Sequence, residues 1–294
     1  MKKLIKISLF FYLVSQLSAC SISQITVRAA MPLIDGGITS MRMETDLDFA
    51  FLSIPANISL IEGMLIKDPN NEKLHIYAAQ AYYGYAFGFV EDGFHQPKDS
   101  KRASHLYQRC LTHSEGLLIE NGLDNTIYNT RLKDLNTAIN KFDKDAVPAL
   151  FWSASCLAKY IDLNRDKAVN LAQLSKAVVL MQRVLDLDAN YYMSSAHIFF
   201  GVYYGSKSPM LGGNFDLSEQ HFAKAAKFNN NKLLIVDLLK AQYLERQRFD
   251  HQEFKTLLNR VIQADDMLYP EQALINQIAK HKASLLMKKE DEWF

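Results

Sequence analysis

Histidines are the residues of this chain that could bind a metal ion. Among the eight histidines, His105 with His113 and His197 with His221 are the pairs that could supply ligands. Structural metal sites usually show closely spaced ligand pairs, whereas these pairs are eight and 24 positions apart. Histidines in the core or on the surface are therefore the favoured interpretation, and we expect neither a metal site nor a cofactor.

Catalytic motifs are also missing from the sequence. It contains no Gly-x-Ser-x-Gly, His-Glu-x-x-His or P-loop motif, and no Gly-x-Gly-x-x-Gly in a strand-to-helix context. The segment 211–214 has glycines but lacks the Lys-Ser or Lys-Thr of a phosphate-binding loop. The carboxylate pairs at 265–266 and 291–292 lie at a helix end and at the C-terminus, where solvated side chains are expected. We expect no enzyme and assign no catalytic residue.

The N-terminus indicates secretion and a lipid anchor. Three lysines precede an apolar run from Ile7 to Val14, which is shorter than the ~20 residues needed to span a bilayer. Leu17-Ser18-Ala19-Cys20 then resembles the bacterial lipobox, which implies cleavage after Ala19 and lipidation of Cys20. Ser21, rather than Asp, is typical of lipoproteins sorted to the outer membrane. The alternative is an ordinary signal peptide that is cleaved near residues 29–30.

Composition indicates a folded protein without a nucleic-acid partner. The 294 residues are 49% hydrophobic, which is enough for a sizeable core. Residues 1–19 contain three lysines and no acidic residue, so their removal changes the formal net charge from +1 to −2. This balance gives no electrostatic footprint for nucleic acid. The remaining cysteines, Cys110 and Cys156, could form a disulfide or remain buried thiols.

Helical periodicity predicts the scaffold. From residue 46 onward apolar residues recur at intervals of three and four, and no alternating pattern exceeds four residues. Asp68-Pro69-Asn70 separates two helices, and Asp188-Ala189-Asn190 takes the same place later in the chain. This order is typical of tetratricopeptide-like repeats. We expect an all-α fold of stacked antiparallel helical hairpins with degenerate repeats.

The sequence also predicts the organisation of the chain. We expect a signal peptide over residues 1–19, a partly ordered tether over 20–44 and a single helical domain over 45–294. Ser53 and Asp216 are possible N-terminal caps of two of its helices, and Asp250 is the predicted cap of a third.

A turn-rich segment interrupts the helices between Gly201 and Asn214. Its glycines and Pro209 disfavour helix, because glycine admits positive φ and proline lacks an N–H. One interpretation is a plain linker, and the other is a binding loop. The chain also carries more aromatic residues than paired helices usually need, and we expect a minority of them to line a groove or pore. The candidate binding residues are Tyr83, Phe87, Trp152, Tyr203, Tyr204, Gly205, Ser206, Lys207, Pro209, Leu211, Gly212, Gly213 and Asn214.

Several segments resemble a known family. The run Gly201–Asn214, followed by His221-Phe222-x-x-Ala225, is similar to the T-component associated with tripartite ATP-independent periplasmic (TRAP) transporters. Asn276-x-x-Ala279-Lys280-x-Lys282-Ala283 and the terminal Asp291-Glu292-x-Phe294 resemble the same family, as do Asp68–Asp92 and Ala149–Tyr191. The resemblance covers about residues 45–294.

The resemblance implies a periplasmic lipoprotein that forms a homotrimer and docks with the solute-binding protein of a TRAP transporter. It also implies uptake of a small apolar or carboxylate ligand without a reaction. The family loop commonly has Arg before Pro, whereas Lys207 and Ser208 precede Pro209 here. Lysine lacks the planar fork of arginine, which weakens any carboxylate site at this position. The alternative function is a generic tetratricopeptide-like outer-membrane scaffold lipoprotein for envelope protein assembly.

Overall fold

The computed structural model describes residues 22–294, so the signal peptide and Cys20 lie outside the described residues. Within this range there is no β-strand, which confirms the prediction of an all-α fold. The α-helices are α1 (Ile22–Arg42), α2 (Leu47–Lys67), α3 (Glu72–Tyr85), α4 (Ser100–Glu120), α5 (Leu132–Ile139), α6 (Val147–Leu163), α7 (Ala168–Leu171), α8 (Leu174–Asp188), α9 (Tyr191–Gly205), α10 (Phe215–Phe228), α11 (Ile235–Lys240), α12 (Arg246–Arg248), α13 (His251–Gln263), α14 (Ala273–Met287) and α15 (Glu290–Trp293).

Helices that follow one another in the chain pack as pairs. α2 packs on α3, α3 on α4, α9 on α10 and α13 on α14, while α6 contacts both α4 and α8. This arrangement is compatible with degenerate repeats. Their shared core includes Leu74, Tyr107, Leu150, Phe222 and Phe254, all of which are almost completely buried.

Side-chain caps determine where several helices begin. The Asp46 carboxylate accepts hydrogen bonds from the Asp48 and Phe49 amides at 2.9 and 3.0 Å, so α2 begins before the predicted cap at Ser53. Asn214, rather than Asp216, caps α10 by accepting a 2.9 Å bond from the Leu217 amide. The predicted cap Asp250 is confirmed, since it accepts a 3.0 Å bond from the Glu253 amide. In each case the carboxylate or amide oxygen satisfies an amide that the helix leaves free.

Residues 22–42 do not form the partly ordered tether that we predicted. They form α1, which packs on α2 and α14. Asp35 accepts hydrogen bonds from Lys73 Nζ and Tyr77 Oη, both at 2.7 Å, and Arg28 pairs with the buried Asp68 at 3.0 Å. The prediction is wrong because these tertiary contacts outweigh the low helix propensity of the proline and paired glycines within α1.

Cys110 and Cys156 form a disulfide between α4 and α6. Their Cα atoms are 5.9 Å apart, which is an ordinary separation for this bond, and both residues are completely buried. The bond connects two neighbouring helices of the core. Of the two alternatives left open by the sequence, the structure has the disulfide.

Two π-helical turns interrupt the α-helical geometry. One, Ala86–Val90, follows α3, and the other, Ala241–Glu245, follows α11. π-Turns of this kind are frequent at functional sites, because the extra residue changes the direction of the side chains that follow. Both turns contribute side chains to the wall of a cavity.

Candidate ligand-binding cavity

A cavity of about 1100 Å³ runs between α1, α2, α3, α6, α9, α11 and α14. This volume is at the upper end of the range of small-molecule sites. Most of its wall is aliphatic or aromatic, as shown by Ile61, Phe87, Phe199, Leu239 and Ile278. Leu33 of α1 and Leu60 of α2 line the cavity and are 79% and 54% exposed, so they form an apolar rim where the wall meets the surface.

Part of the predicted binding set lines this cavity. Tyr83 comes from α3, Phe87 from the first π-turn and Trp152 from α6, with the Tyr83 and Trp152 rings 5.6 Å apart. Tyr203, Ser206 and Lys207 reach the cavity from the end of α9 and the residues after it. The remaining predicted residues are not part of the lining: Tyr204, Gly205, Pro209, Leu211, Gly212, Gly213 and Asn214.

The geometry of the loop after α9 explains its glycines. A Cβ atom at Gly213 would lie 1.9 Å from the carbonyl oxygen of Lys207, and Gly212 has a φ of +85°. The Asn214 amide donates a 3.0 Å bond to the Tyr204 carbonyl, which closes the turn. The tip is exposed at Leu211, whose side chain is 74% accessible. These glycines therefore serve the turn itself, and only the first residues of the loop contact the cavity.

Lys207 is a cation of the cavity wall without a carboxylate partner. Its Nζ lies 4.1 Å from the centre of the Tyr203 ring, which is a cation–π contact. Burial lowers the pKa of Lys207. Over residues 22–294 we find no ion pair of this side chain.

A buried ion cluster contributes Glu91 and Lys159 to the wall. Together with Lys282 and Tyr107, which do not line the cavity, we call these residues the Glu91 cluster. Glu91 accepts hydrogen bonds from Tyr107 Oη at 2.6 Å, Lys159 Nζ at 2.8 Å and Lys282 Nζ at 3.1 Å. Burial alone would raise the pKa of Glu91, but the two ammonium groups and the hydrogen bonds lower it to about 2. Glu91 is therefore ionised, and its charge is neutralised within the protein.

Lys282 also ties this cluster to the first π-turn. Its Nζ donates a 2.9 Å bond to the Phe87 carbonyl oxygen and pairs with Asp92. The ammonium group lies 4.1 Å from the centre of the Phe87 ring. Lys282 belongs to α14, but these contacts fix the position of the segment that follows α3. Phe87 and Glu91 lie on that segment and line the cavity.

A second polar part of the wall is formed by Arg42, Gln80, Tyr192 and Trp152, which we call the Arg42 group. Arg42 Nη2 donates to Gln80 Oε1 at 3.3 Å, and Gln80 Nε2 donates to Tyr192 Oη at 3.0 Å. The Tyr192 and Trp152 rings are 5.0 Å apart. Sequence reasoning missed Arg42 because it assigned this residue to the tether, and no motif connects it with Gln80 or Tyr192.

An unusual backbone at the start of α9 positions Tyr192. Tyr192, Met193 and Ser194 have φ values of 45°, 60° and 61°. Such left-handed conformations cost roughly 1–2 kcal/mol per residue and persist where the surroundings hold them. Here Asn229 Nδ2 donates to the Met193 carbonyl at 2.9 Å, and Ser194 Oγ donates to the Ala189 carbonyl at 3.0 Å.

Comparison with known proteins identifies the family of this chain. The sequence matches the family model of the TRAP transporter T-component over residues 43–294. This chain belongs to the TRAP transporter T-component family. No curated protein matches it. Since the family match begins at Met43, α1 of this T-component, with Arg42 at its end, lies outside the matched residues.

The histidines of the T-component do not assemble a metal centre in the part of the chain that the structure describes. His197 Nδ1 and His221 Nδ1 are 2.9 Å apart, whereas His113 faces His75 at 3.0 Å rather than His105. From residue 22 onward, no group of three or more His, Cys, Asp or Glu side chains could hold a metal ion. Burial lowers the pKa of His221 to about 4, which favours its neutral form.

Helix α2 of the T-component is the one helix among residues 22–294 that is long and apolar enough to cross a membrane, with a mean hydropathy of 1.7. Its buried face, with Ile54, Ile58 and Ile61, instead packs within the fold on α3 and α14. We therefore interpret α2 as a core helix whose opposite face is exposed.

Proposed function

We propose that this T-component is a non-enzymatic carrier that holds a small organic ligand in its cavity and passes it to the solute-binding protein of a TRAP transporter. The cavity of about 1100 Å³ with its mainly apolar wall carries this proposal. Burial of apolar surface is favourable by roughly 25 cal/mol per Å², so such a wall selects ligands with aliphatic or aromatic parts. Family membership supplies the transport context.

The rim of the cavity supports docking of the solute-binding protein at the same place. Leu33 and Leu60 line the cavity and are largely exposed. Exposed apolar side chains that surround an opening are typical of interaction sites. A partner that covers this rim would receive the ligand without exposing it to water.

The location and assembly of the carrier are further parts of the proposal. The sequence Leu17-Ser18-Ala19-Cys20 supports a lipid anchor on Cys20, two residues before α1 begins. The carrier would thus be a periplasmic lipoprotein attached to the outer membrane. Homotrimer formation rests on the family resemblance.

Complex formation tests the docking step. We expect the acylated protein, purified in detergent, to sediment as a trimer and to bind a solute-binding protein encoded beside TRAP permease genes. Leu60→Glu should weaken that complex at least about tenfold, because it places a charge on the apolar rim. Ile66→Glu is the matched control, since Ile66 is an exposed apolar residue of α2 that does not line the cavity. A monomer that binds other envelope proteins but no solute-binding protein would favour the scaffold function instead.

Filling the cavity tests the carrier step. Ala81 lines the cavity, so Ala81→Phe should reduce binding of the apolar fluorescent probe 1-N-phenylnaphthylamine at least about tenfold. Ala172→Phe, at an exposed position outside the lining, should leave probe binding unchanged. Equal binding by both variants would show that the probe does not occupy the cavity.

A further inference from the structure

We propose that Arg42 is the anion-binding residue of the cavity and that the Arg42 group holds the carboxylate of an otherwise apolar ligand. This inference rests on the proposed carrier function and names the chemical class of the ligand and the side chains that recognise its head group.

The first observation is an arginine without a counter-ion. Arg42 lines the cavity, and no ion pair of this residue exists within the described chain. Its Nε atom is buried and has no hydrogen-bond acceptor. A buried guanidinium donor without an acceptor is costly, because it loses its hydration and gains nothing in return. A ligand carboxylate beside the guanidinium would supply the missing negative charge.

The second observation is that neighbours of Arg42 also have hydrogen-bond donors without acceptors. Tyr192 Oη accepts a hydrogen bond from Gln80, so its own proton remains available, and no acceptor for it is found among residues 22–294. Trp152 is 2% exposed, and its buried Nε1 makes no hydrogen bond of ordinary geometry. Arg42 and Tyr192 therefore have donors left for a ligand, while both acceptors of the group, Gln80 Oε1 and Tyr192 Oη, already accept hydrogen bonds within it.

Tyr191 does not satisfy the Trp152 indole. Burial raises the pKa of the Tyr191 hydroxyl, and the nearby indole N–H lowers it by a weaker effect. The two groups are therefore neighbours, but the indole N–H makes no hydrogen bond that has both an ordinary length and an ordinary angle.

The charge of this group selects one kind of head group. Arg42 contributes a single positive charge, and Gln80, Tyr192 and Trp152 are neutral, so a monoanion balances the site whereas a phosphate dianion exceeds it. A carboxylate also accepts two hydrogen bonds from the planar guanidinium and further bonds from neutral donors. Both features match a carboxylate at the end of an aliphatic chain that occupies the apolar part of the cavity.

The other cations of the wall are less suited to this task. Lys159 is neutralised by Glu91, and Arg165 pairs with Asp162. Lys207 lacks a carboxylate partner but lies against the Tyr203 ring, and its ammonium group presents a point charge rather than a planar fork. A carboxylate site is thus better placed at Arg42 than at Lys207, where the departure from the family's arginine already weakened it.

The test compares ligands that differ only in their head group. Displacement of 1-N-phenylnaphthylamine from the full mature protein is measured with dodecanoate, 1-dodecanol and dodecyl phosphate at pH 7.5. We expect the wild-type protein to bind dodecanoate at least about tenfold more tightly than dodecanol and dodecyl phosphate, since hydrogen bonds to a charged group contribute about 1.5–3 kcal/mol, which corresponds to roughly 10- to 150-fold.

Three variants assign that preference to a residue. Arg42→Gln should lose the preference for dodecanoate over dodecanol while binding dodecanol as the wild type does. Arg42→Lys should retain part of the preference for dodecanoate, and Lys207→Gln should retain all of that preference. Unchanged dodecanoate binding by Arg42→Gln, or loss of the preference only in Lys207→Gln, would overturn the assignment of Arg42.

The remaining outcomes separate this inference from the proposed function. If the wild type binds dodecanol and dodecanoate equally, the cavity is an apolar carrier site without a carboxylate subsite, and only the further inference fails. Preference for dodecyl phosphate would contradict the assignment to a monoanion. If no compound displaces the probe, the carrier function itself fails, and with it the inference.

Discussion

The Glu91 cluster and the Arg42 group line the same cavity, but their charges are satisfied in opposite ways. Glu91 is held by two lysines and a tyrosine, all at 3.1 Å or less. Among the described residues, Arg42 has a single hydrogen bond, of 3.3 Å, to the neutral Gln80. One part of the wall is thus complete without a ligand, whereas the other still has donors without acceptors.

This difference indicates which polar residues serve the fold and which are available to a ligand. In a poorly solvated cavity, a balanced ion cluster keeps its neighbours in place, and breaking it leaves an uncompensated charge. A cation without a counter-ion contributes little to the stability of the folded state but binds an anion strongly. We therefore expect variants of the Glu91 cluster to change stability and variants of the Arg42 group to change binding.

Glu91→Gln should have the largest effect on stability. It leaves Lys159 and Lys282 buried without a full counter-charge, so we expect a loss of about 3–5 kcal/mol in the free energy of unfolding. Urea denaturation followed by circular dichroism measures this loss. The control Glu62→Gln removes a half-buried carboxylate that accepts a 2.6 Å bond from Tyr82 and pairs with His113 at 3.2 Å and with the exposed Arg109 at 3.6 Å. Because water reaches this site, we expect a smaller loss of about 1 kcal/mol. Equal losses in both variants would contradict a special role of the Glu91 cluster.

Acid should remove the contribution of Glu91 to the free energy of unfolding in a defined pH range. Its pKa is lowered from 4.5 to about 2, so the folded state gains about 3 kcal/mol above pH 4.5, and this gain is lost as the pH falls towards 2. The stability difference between the wild type and Glu91→Gln should therefore be constant from pH 7 to 5 and shrink below pH 4.5. Urea denaturation at several pH values measures it. The exposed Glu120→Gln is the control, and a Glu91 difference that does not shrink would contradict the assignment.

Ligand binding should stabilise the wild type more than an Arg42 variant. At 100 times its dissociation constant, a ligand adds about 2.7 kcal/mol to the free energy of unfolding. If Arg42→Gln binds dodecanoate tenfold more weakly, the same concentration should add only about 1.4 kcal/mol. Thermal unfolding with and without dodecanoate measures the difference, and dodecanol should stabilise both proteins equally. Equal stabilisation by dodecanoate would place the carboxylate elsewhere.

Without ligand, Arg42→Gln should change the free energy of unfolding less than any other change in this series. It removes one hydrogen bond of 3.3 Å and no ion pair, so the free energy of unfolding should change by less than about 1 kcal/mol. The same urea denaturation at pH 7 measures it. A loss comparable to that of Glu91→Gln would show that both polar parts of the wall serve the fold.

Local sequence signals predicted much of the helical scaffold. Asp250 is the cap of α13, and Glu72 begins α3, as its position after the Asp-Pro-Asn turn indicates. Where the prediction failed, competing local signals were present: Asp46 precedes Ser53 as a cap, and Asn214 precedes Asp216. Caps act within four residues, so such signals are visible in the sequence even when the wrong one is chosen.

The candidate site was less predictable because its residues come from distant parts of the chain. Aromatic composition suggested Tyr83 and Trp152 for the lining, and the loop sequence suggested Ser206 and Lys207. Nothing comparable marked Glu91 or Arg42. Glu91 meets Lys282 across 191 residues, and the partner of Arg42, Gln80, follows it by 38 residues.

By itself, the sequence determined the helical class of this protein, several helix boundaries and its resemblance to the T-component family, because helical periodicity, caps and family motifs are local patterns. Only the tertiary structure decided that residues 22–42 form a helix, that Cys110 and Cys156 pair, and that one buried charge is balanced while another is not. Whether a buried charge is balanced depends on which side chains packing brings within about 3 Å, and a linear sequence does not contain that distance.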